Sequence, residues 1–179
     1  MNITVYCGSN PGKNPNFSLA ATKLGTWIGQ QGHALVYGGG MNGLMGIVAD
    51  AVLEENGDVQ GIIPEVLRGI EVKHPNVQNM EIVQTMPERK TRMIELGDAF
   101  IALPGGVGTL EEISEIVSLT RIGLVNKPTV FYNVDGYYES LKDQFDRMVQ
   151  EEFLKLEVRE MFLFSESLQE IDTFIREHS

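Results

Sequence analysis

Short β-branched or apolar runs alternate with amphipathic ones along nearly the whole chain. That alternation restricts the fold to βα units around a mostly parallel sheet. The runs predict strands at Ile3–Cys7, Ala34–Tyr37, Val59–Ile63, Glu81–Gln84, Ala99–Leu103 and Thr129–Asn133. Between the first two, Phe17, Ala20, Leu24, Trp27 and Ile28 share one face of a helix that begins near Pro15, with Trp27 read as core. Further helices are expected over Gly43–Glu55 and Pro87–Leu96, along the stripe Leu110, Ile113, Ile116 and Val117, and around Leu141, Phe145, Met148 and Val149. The last is expected from Ser167, where Ser-Leu-Gln-Glu has the form of a capping box. No repeat, low-complexity tract or linker interrupts the pattern, and residues 64–80 form the longest irregular stretch, of a length that often shapes a binding site.

With 179 residues, 42% of them hydrophobic, the chain suits one domain spanning 1–179. A formal charge of −11 argues against a general nucleic-acid or anionic-membrane binder, because phosphate backbones are held by basic surfaces. Any phosphate ligand is therefore held locally. Cys7 is the only cysteine, which rules out an internal disulfide and suits a reduced, cytoplasmic setting. The start, MNITVYCGSN, has neither the basic residues nor the apolar length of a signal peptide or membrane span, so a soluble, untargeted protein is expected.

In residues 98–112, DAFIALPGGVGTLEE, an apolar run breaks into a proline and glycines and then sets two carboxylates at a helix start. Strand, glycine turn and helix start come in the order that presents free N–H groups to a phosphate. Thr109 is placed to cap the helix and to donate its hydroxyl. Thr109-Leu-Glu-Glu112 also has the form of a capping box, which leaves Glu112 two readings: folded back onto the Thr109 N–H, or facing a ligand.

The other charged segment is MPERKTRM, residues 86–93. Pro87 is placed to begin a helix, which puts Arg89 and Lys90 in its first turn, where cations oppose the helix dipole at a cost of roughly 0.3 to 1 kcal/mol each. Glu88 and Arg92 have the spacing of an ordinary i, i+4 pair, which leaves Arg89 and Lys90 unexplained. If consecutive strands neighbour one another, both helix starts lie on the rim at the carboxyl ends of the strands, and Arg89, Lys90, Glu111 and Glu112 converge. A phosphate on the N–H groups of residues 106–109, with a carboxylate one turn away, describes a site for ribose 5-phosphate. Cleavage of an N-glycosidic bond there passes through an oxocarbenium-like state, which a carboxylate stabilises or supplies with activated water.

Other motifs carry weaker readings. GGGMNGLMG, residues 38–46, holds G-x-G-x-x-G at Gly38, Gly40 and Gly43. It follows the second strand rather than the first, and the acidic partner of a dinucleotide site would have to be Glu65. A mononucleotide wall fits better, and glycines needed only for turns and packing remain an alternative. Tyr138 and Lys142 match the dyad spacing of short-chain dehydrogenases, against the plainer reading of an exposed helix face. A G-x-x-x-x-G-K-[ST] loop is absent, and His33, His74 and His178 lack metal-ligand spacing. Cys7 reads as core, and Ser9 either touches the ligand or is a turn serine.

Together, YCGS, LVYGGGMNGLMG, the ERK of MPERKTRM, ALPGGVGTLEE and the closing LVNKP resemble the LONELY GUY (LOG) family of cytokinin-activating enzymes, over nearly the whole chain. The resemblance implies an α/β, Rossmann-like doubly wound fold, a mostly parallel sheet with helices on both faces. It also implies a homodimer that hydrolyses cytokinin riboside 5′-monophosphate, or AMP, to free base and ribose 5-phosphate, with no cofactor. Carried onto matching positions, it makes Arg89 and Glu112 the catalytic pair. Glu71, Lys90, Gly106, Val107, Gly108, Thr109, Leu110, Glu111 and Ser118 become substrate contacts. Pro87 stands where the family usually has histidine, and Leu119-Thr120-Arg121 replaces a common Trp-Ala-Gln. A reading of another class, a non-catalytic nucleotide or cofactor carrier, uses the same scaffold without turnover.

Overall fold

The computed structural model describes residues 1–67 and 72–179. The described residues form a seven-stranded, wholly parallel sheet in the order β4-β3-β2-β1-β5-β6-β7. The strands are β1 Asn2–Tyr6, β2 Ala34–Tyr37, β3 Val59–Pro64, β4 Asn79–Val83, β5 Ala99–Ala102, β6 Thr129–Tyr132 and β7 Phe162–Ser165. The helices are α1 Pro15–Gln30, α2 Gly43–Glu54, α3 Met86–Leu96, α4 Val107–Arg121, α5 Glu139–Gln150, α6 Leu156–Arg159 and α7 Leu168–Glu177.

Alternation along each strand divides the core in two. Ile3, Val5, Leu35 and Ile101 pack with Leu24, Ile28, Val48 and Ile171 on the face covered by α1, α2 and α7. Tyr6, Val36, Ile62 and Phe100 pack with Met93, Ile113, Ile116 and Phe145 on the face covered by α3, α4 and α5. Trp27 is buried, as its place in the apolar stripe requires.

The expected strands and helices form, with three differences. β4 begins two residues and ends one residue earlier than Glu81–Gln84, at an edge of the sheet. The structure adds β7 and the short α6: FLFS is only four residues long and, as the other edge strand, pairs with β6 alone. At α7, Ser167 caps the Glu170 N–H, but the Glu170 carboxylate accepts from the Ser165 hydroxyl at 2.5 Å, so only half of the capping box forms.

The topology sets the site. From β1 the chain moves outward to β2, β3 and β4, then returns through α3 to β5 on the other side of β1. The strand order therefore reverses between β1 and β5, and a crevice opens beyond their carboxyl ends, where open α/β sheets bind ligands.

Candidate active site

Two lobes of one cleft lie at that crevice, with Gly8, Ser9 and Gly106 lining both. The first, of about 270 Å³, lies over α3 and α4 and includes Cys7, Met45, Met86, Arg89, Thr109 and Glu112 in its wall. The second, of about 300 Å³, lies over the α1 face and includes Phe17, Leu44 and Tyr137.

The α4 start is built differently from the capping-box reading. Gly106, not Thr109, is the N-cap, and no side chain caps it. Leu110 N–H makes the first intrahelical bond, to Gly106 O at 3.0 Å, so the N–H groups of residues 106–109 have no partner within the helix. Thr109 is buried inside the first turn, with its side chain close to the Cα of Gly105. Glu112 falls in the second turn, beyond reach of a cap, and its carboxylate meets the Arg89 guanidinium at 3.2 Å. Both side chains are more than nine-tenths buried, at 8% and 9% exposure.

Arg89 arrives by a route that the sequence does not display. Thr85 caps α3 in a full capping box with Glu88, whose carboxylate also accepts from the Gln84 N–H at 2.7 Å. The helix therefore begins at Met86, and Arg89 and Lys90 lie just past the first turn, where the dipole opposes them less than expected. Glu88 is occupied at the cap, so the Glu88–Arg92 pair does not form; Arg92 binds Glu81 at 3.0 Å and Glu95 at 3.3 Å instead. Since β4 is an edge strand and β5 lies beside β1, consecutive strands do not neighbour one another here. α3 crosses beneath the intervening strands, and Arg89 donates from Nε to Ile62 O, within β3, at 3.2 Å. Gly38 leaves room for the guanidinium: a Cβ there would overlap its Nη2. The glycine cluster is thus partly a seat for an arginine. Gly43, at φ 63°, meanwhile lets the Ser9–Asn10 backbone pass close by.

Lys90 pairs with Glu111 and with Glu115 at 3.2 Å, and its hydrogen bond to Glu111 leads the causes that raise its pKa above the ordinary lysine value. Glu115 was not singled out from the sequence, although it lies one turn after Glu111 on the same helix face. Burial first, then the nearby Glu112 carboxylate, pushes the Cys7 thiol and the Tyr6 hydroxyl far above their usual values. Both are neutral at physiological pH, and Cys7 is a core residue rather than a nucleophile.

Arg89, Lys90, Glu111 and Glu112 therefore do converge beside the N–H groups of residues 106–109. Leu110 and Ser118 lie on the exposed side of α4, away from this lobe. Glu71 lies outside the described residues. Tyr138 is buried, not on an exposed face, and donates its hydroxyl to Leu103 O at 2.6 Å, while Lys142 binds Glu139. His74 is buried and lies 3.1 Å from Asp50. Among the described residues, no group of three His, Cys, Asp or Glu side chains is placed to hold a metal ion. Among them, too, no helix is long and apolar enough to cross a membrane.

Residues 45–173 match the protein family described as "possible lysine decarboxylase". A cytokinin riboside 5′-monophosphate phosphoribohydrolase of Arabidopsis thaliana is 40% identical over 177 residues, covering 99% of this chain and 82% of that protein. A protein of Oryza sativa subsp. japonica, named as a probable enzyme of the same kind, is 42% identical, covering 98% of this chain and 76% of its own. The chain belongs to the LOG family. Solved structures share the LOG-type fold at lower identity. The molybdenum cofactor binding protein of Rippkaea orientalis superposes with a TM-score of 0.74 at 20% identity, covering 98% of this chain and 95% of that one. The molybdenum cofactor carrier protein of Chlamydomonas reinhardtii gives 0.73 at 18%, covering 98% and 96%. Of the two departures from the LOG pattern, Pro87 is exposed at the second position of α3 and points away from the cleft wall formed by its neighbour Met86. Leu119 packs against the core beneath α4.

Proposed function

We propose that this chain hydrolyses the N-glycosidic bond of a nucleoside 5′-monophosphate, a cytokinin riboside 5′-monophosphate or AMP, to free base and ribose 5-phosphate. The observation that carries the reading is the buried Arg89–Glu112 pair beside the uncapped start of α4. The 5′-phosphate docks on the N–H groups of Gly106, Val107, Gly108 and Thr109, where the helix dipole favours an anion. The ribose then extends toward Glu112. As the bond from C1′ to the base nitrogen breaks, its electron pair leaves with the base, which takes up a proton, and positive charge spreads over C1′ and the ring oxygen. The Glu112 carboxylate stabilises that charge and accepts a proton from the water whose oxygen bonds to C1′. Arg89 holds the carboxylate in place and offsets charge near the phosphate. Lys90, through Glu111 and Glu115, ties α3 to the second and third turns of α4. No redox step or cofactor enters this scheme.

Glu71, Leu110 and Ser118 complete the set of substrate contacts that we propose. Leu110 and Ser118 are exposed on α4, as is Val107, and the exposed apolar residues Ile122 and Leu124 follow the end of the helix. That apolar surface supports a homodimer, in which Leu110 and Ser118 act near the site of a neighbouring copy. We further infer one cooperative domain over 1–179 in a cytoplasmic setting, which suits the buried, free Cys7. Sedimentation equilibrium tests the dimer, and a single unfolding transition tests the single domain.

The deciding experiment is chromatographic. The pure protein, incubated separately with AMP and with isopentenyladenosine 5′-monophosphate, is expected to release base and ribose 5-phosphate in equal amounts. Binding of both nucleotides without release would overturn the hydrolase reading in favour of a carrier.

A further inference from the structure

Two consecutive tyrosines reach from the segment before α5 to the glycine turn that opens α4. Tyr138 donates to Leu103 O at 2.6 Å, and Tyr137 donates to Gly105 O at 2.5 Å. Gly8 N–H donates to Pro104 O at 3.1 Å, so three successive carbonyls of this turn are held from outside it. Tyr138 is buried and in the core, whereas Tyr137 is 45% exposed. Its ring stands edge-on to Phe17 with centroids 5.4 Å apart, which fixes the direction of its hydroxyl.

The bond to Gly105 matters because of the peptide that it grips. The Gly105 C=O and the Gly106 N–H belong to one planar trans unit and point in opposite directions. Tyr137 lines the lobe over the α1 face and draws the carbonyl toward itself. The Gly106 N–H is thereby turned away from Tyr137, and Gly106 also lines the lobe that holds Thr109 and Glu112. Glycine at 105 and 106 leaves this peptide free to rotate when nothing grips it.

We propose that Tyr137 is a positioning residue for anion binding: its hydroxyl fixes the 105–106 peptide so that the Gly106 N–H faces the substrate's 5′-phosphate. This rests on the phosphoribohydrolase reading for the identity of the anion, but not for the geometry of the peptide. The phosphate is bound alike in ground and transition states, so losing its alignment weakens binding without slowing the chemical step.

The test is Tyr137→Phe, which keeps the ring, its contact with Phe17 and the exposed position while removing one hydrogen bond. With AMP or its prenylated analogue as substrate, KM is expected to rise roughly five-fold while kcat stays within about two-fold. Inhibition by ribose 5-phosphate and by inorganic phosphate is expected to weaken by the same factor, and inhibition by the free base to stay unchanged. An unchanged KM, or a fall in kcat alone, would overturn the proposal, as would an equal loss of affinity for base and phosphate. A lower melting temperature with native KM would make the hydroxyl merely structural. If the wild-type protein releases no base, the hydrolase reading fails, and calorimetric titration of ribose 5-phosphate into wild type and Tyr137→Phe still decides the role of Tyr137.

Discussion

Arg89 lies against Gly38, so close that a single methyl group on Gly38 would overlap the terminal Nη2 of the guanidinium. Two adjacent strands hold the arginine in different ways: the residue that follows β2 by lacking a side chain, and β3 by offering the Ile62 carbonyl at 3.2 Å. Its remaining reach is spent on Glu112, on the far side of the cleft floor.

Gly38→Ala is therefore expected to displace the guanidinium and, with it, the carboxylate. Misplacement of a catalytic group by about 1 Å costs on the order of 100-fold, so kcat/KM should fall by about one to two orders of magnitude. Steady-state kinetics and a structure of the variant check this together. Native activity with Arg89 unmoved would refute the packing account.

Glu112→Gln should abolish base release, by roughly 100-fold or more, because the neutral amide neither stabilises a ribosyl cation nor accepts a proton. It also leaves the Arg89 charge buried beside a weaker partner. Complete loss of a buried partner costs about 3 to 5 kcal/mol, and the amide, which still accepts a hydrogen bond, should cost less. Urea unfolding separates the two effects: a folded, inactive variant is expected, whereas a folded variant with native turnover would remove Glu112 from the chemistry.

Gly105 is the position where the phosphate turn tolerates no side chain. A Cβ built there lies 2.6 Å from the Thr109 Cβ and 2.9 Å from the Gly8 backbone nitrogen, and backbone has little room to yield. Gly105→Ala should destabilise the protein by about 1 to 3 kcal/mol, as overpacking does. It should also weaken affinity for ribose 5-phosphate, readable by calorimetry. Gly108, where a Cβ meets nothing within 4 Å, is the control: Gly108→Ala should leave stability nearly unchanged.

His33 gives a pH dependence away from the site. Burial, then the N-terminal amino group and Arg176, lower its pKa below the ordinary value of 6.5, with Asp172 opposing. A basic group with a lowered folded pKa contributes stability that is present above its unfolded value and lost as pH falls through the folded one. The melting temperature should therefore drop on acidification from pH 7 through the range below 6.5. His33→Gln, which does not titrate, should flatten that part of the profile. The edge-on contact with Trp27, at 5.4 Å, makes indole fluorescence a second readout.

Much of the fold was legible because its signals are local. The apolar stripe from Phe17 to Ile28 needs only helical periodicity, and the strands at Ala34–Tyr37 and Thr129–Tyr132 need only β-branched and aromatic runs. The glycine turn at PGGVGT announced a helix start with free N–H groups, and the ERK segment announced cations in want of a partner. Thr85-Met-Pro-Glu88 is also a local signal, masked by Pro87, whose fixed φ suits the first position of a helix equally well.

The partners of those groups were decided only by the tertiary structure. Thr109-Leu-Glu-Glu112 satisfies a capping pattern in one dimension, yet the helix begins three residues earlier, after a turn whose carbonyls the Tyr137 hydroxyl and the Gly8 N–H hold from outside. Arg89 reaches Glu112 because β4 is an edge strand and β5 lies beside β1, which sends α3 across the sheet. Strand order is a long-range pairing that no short window encodes, and neither is the space above Gly38 that an arginine from another βα unit fills. The sequence by itself determined most of the elements that form, β7 and α6 apart, and which chemistry-bearing residues exist. Their meeting at one buried ion pair depends on contacts between units distant in the chain, which only packing around a single sheet brings about.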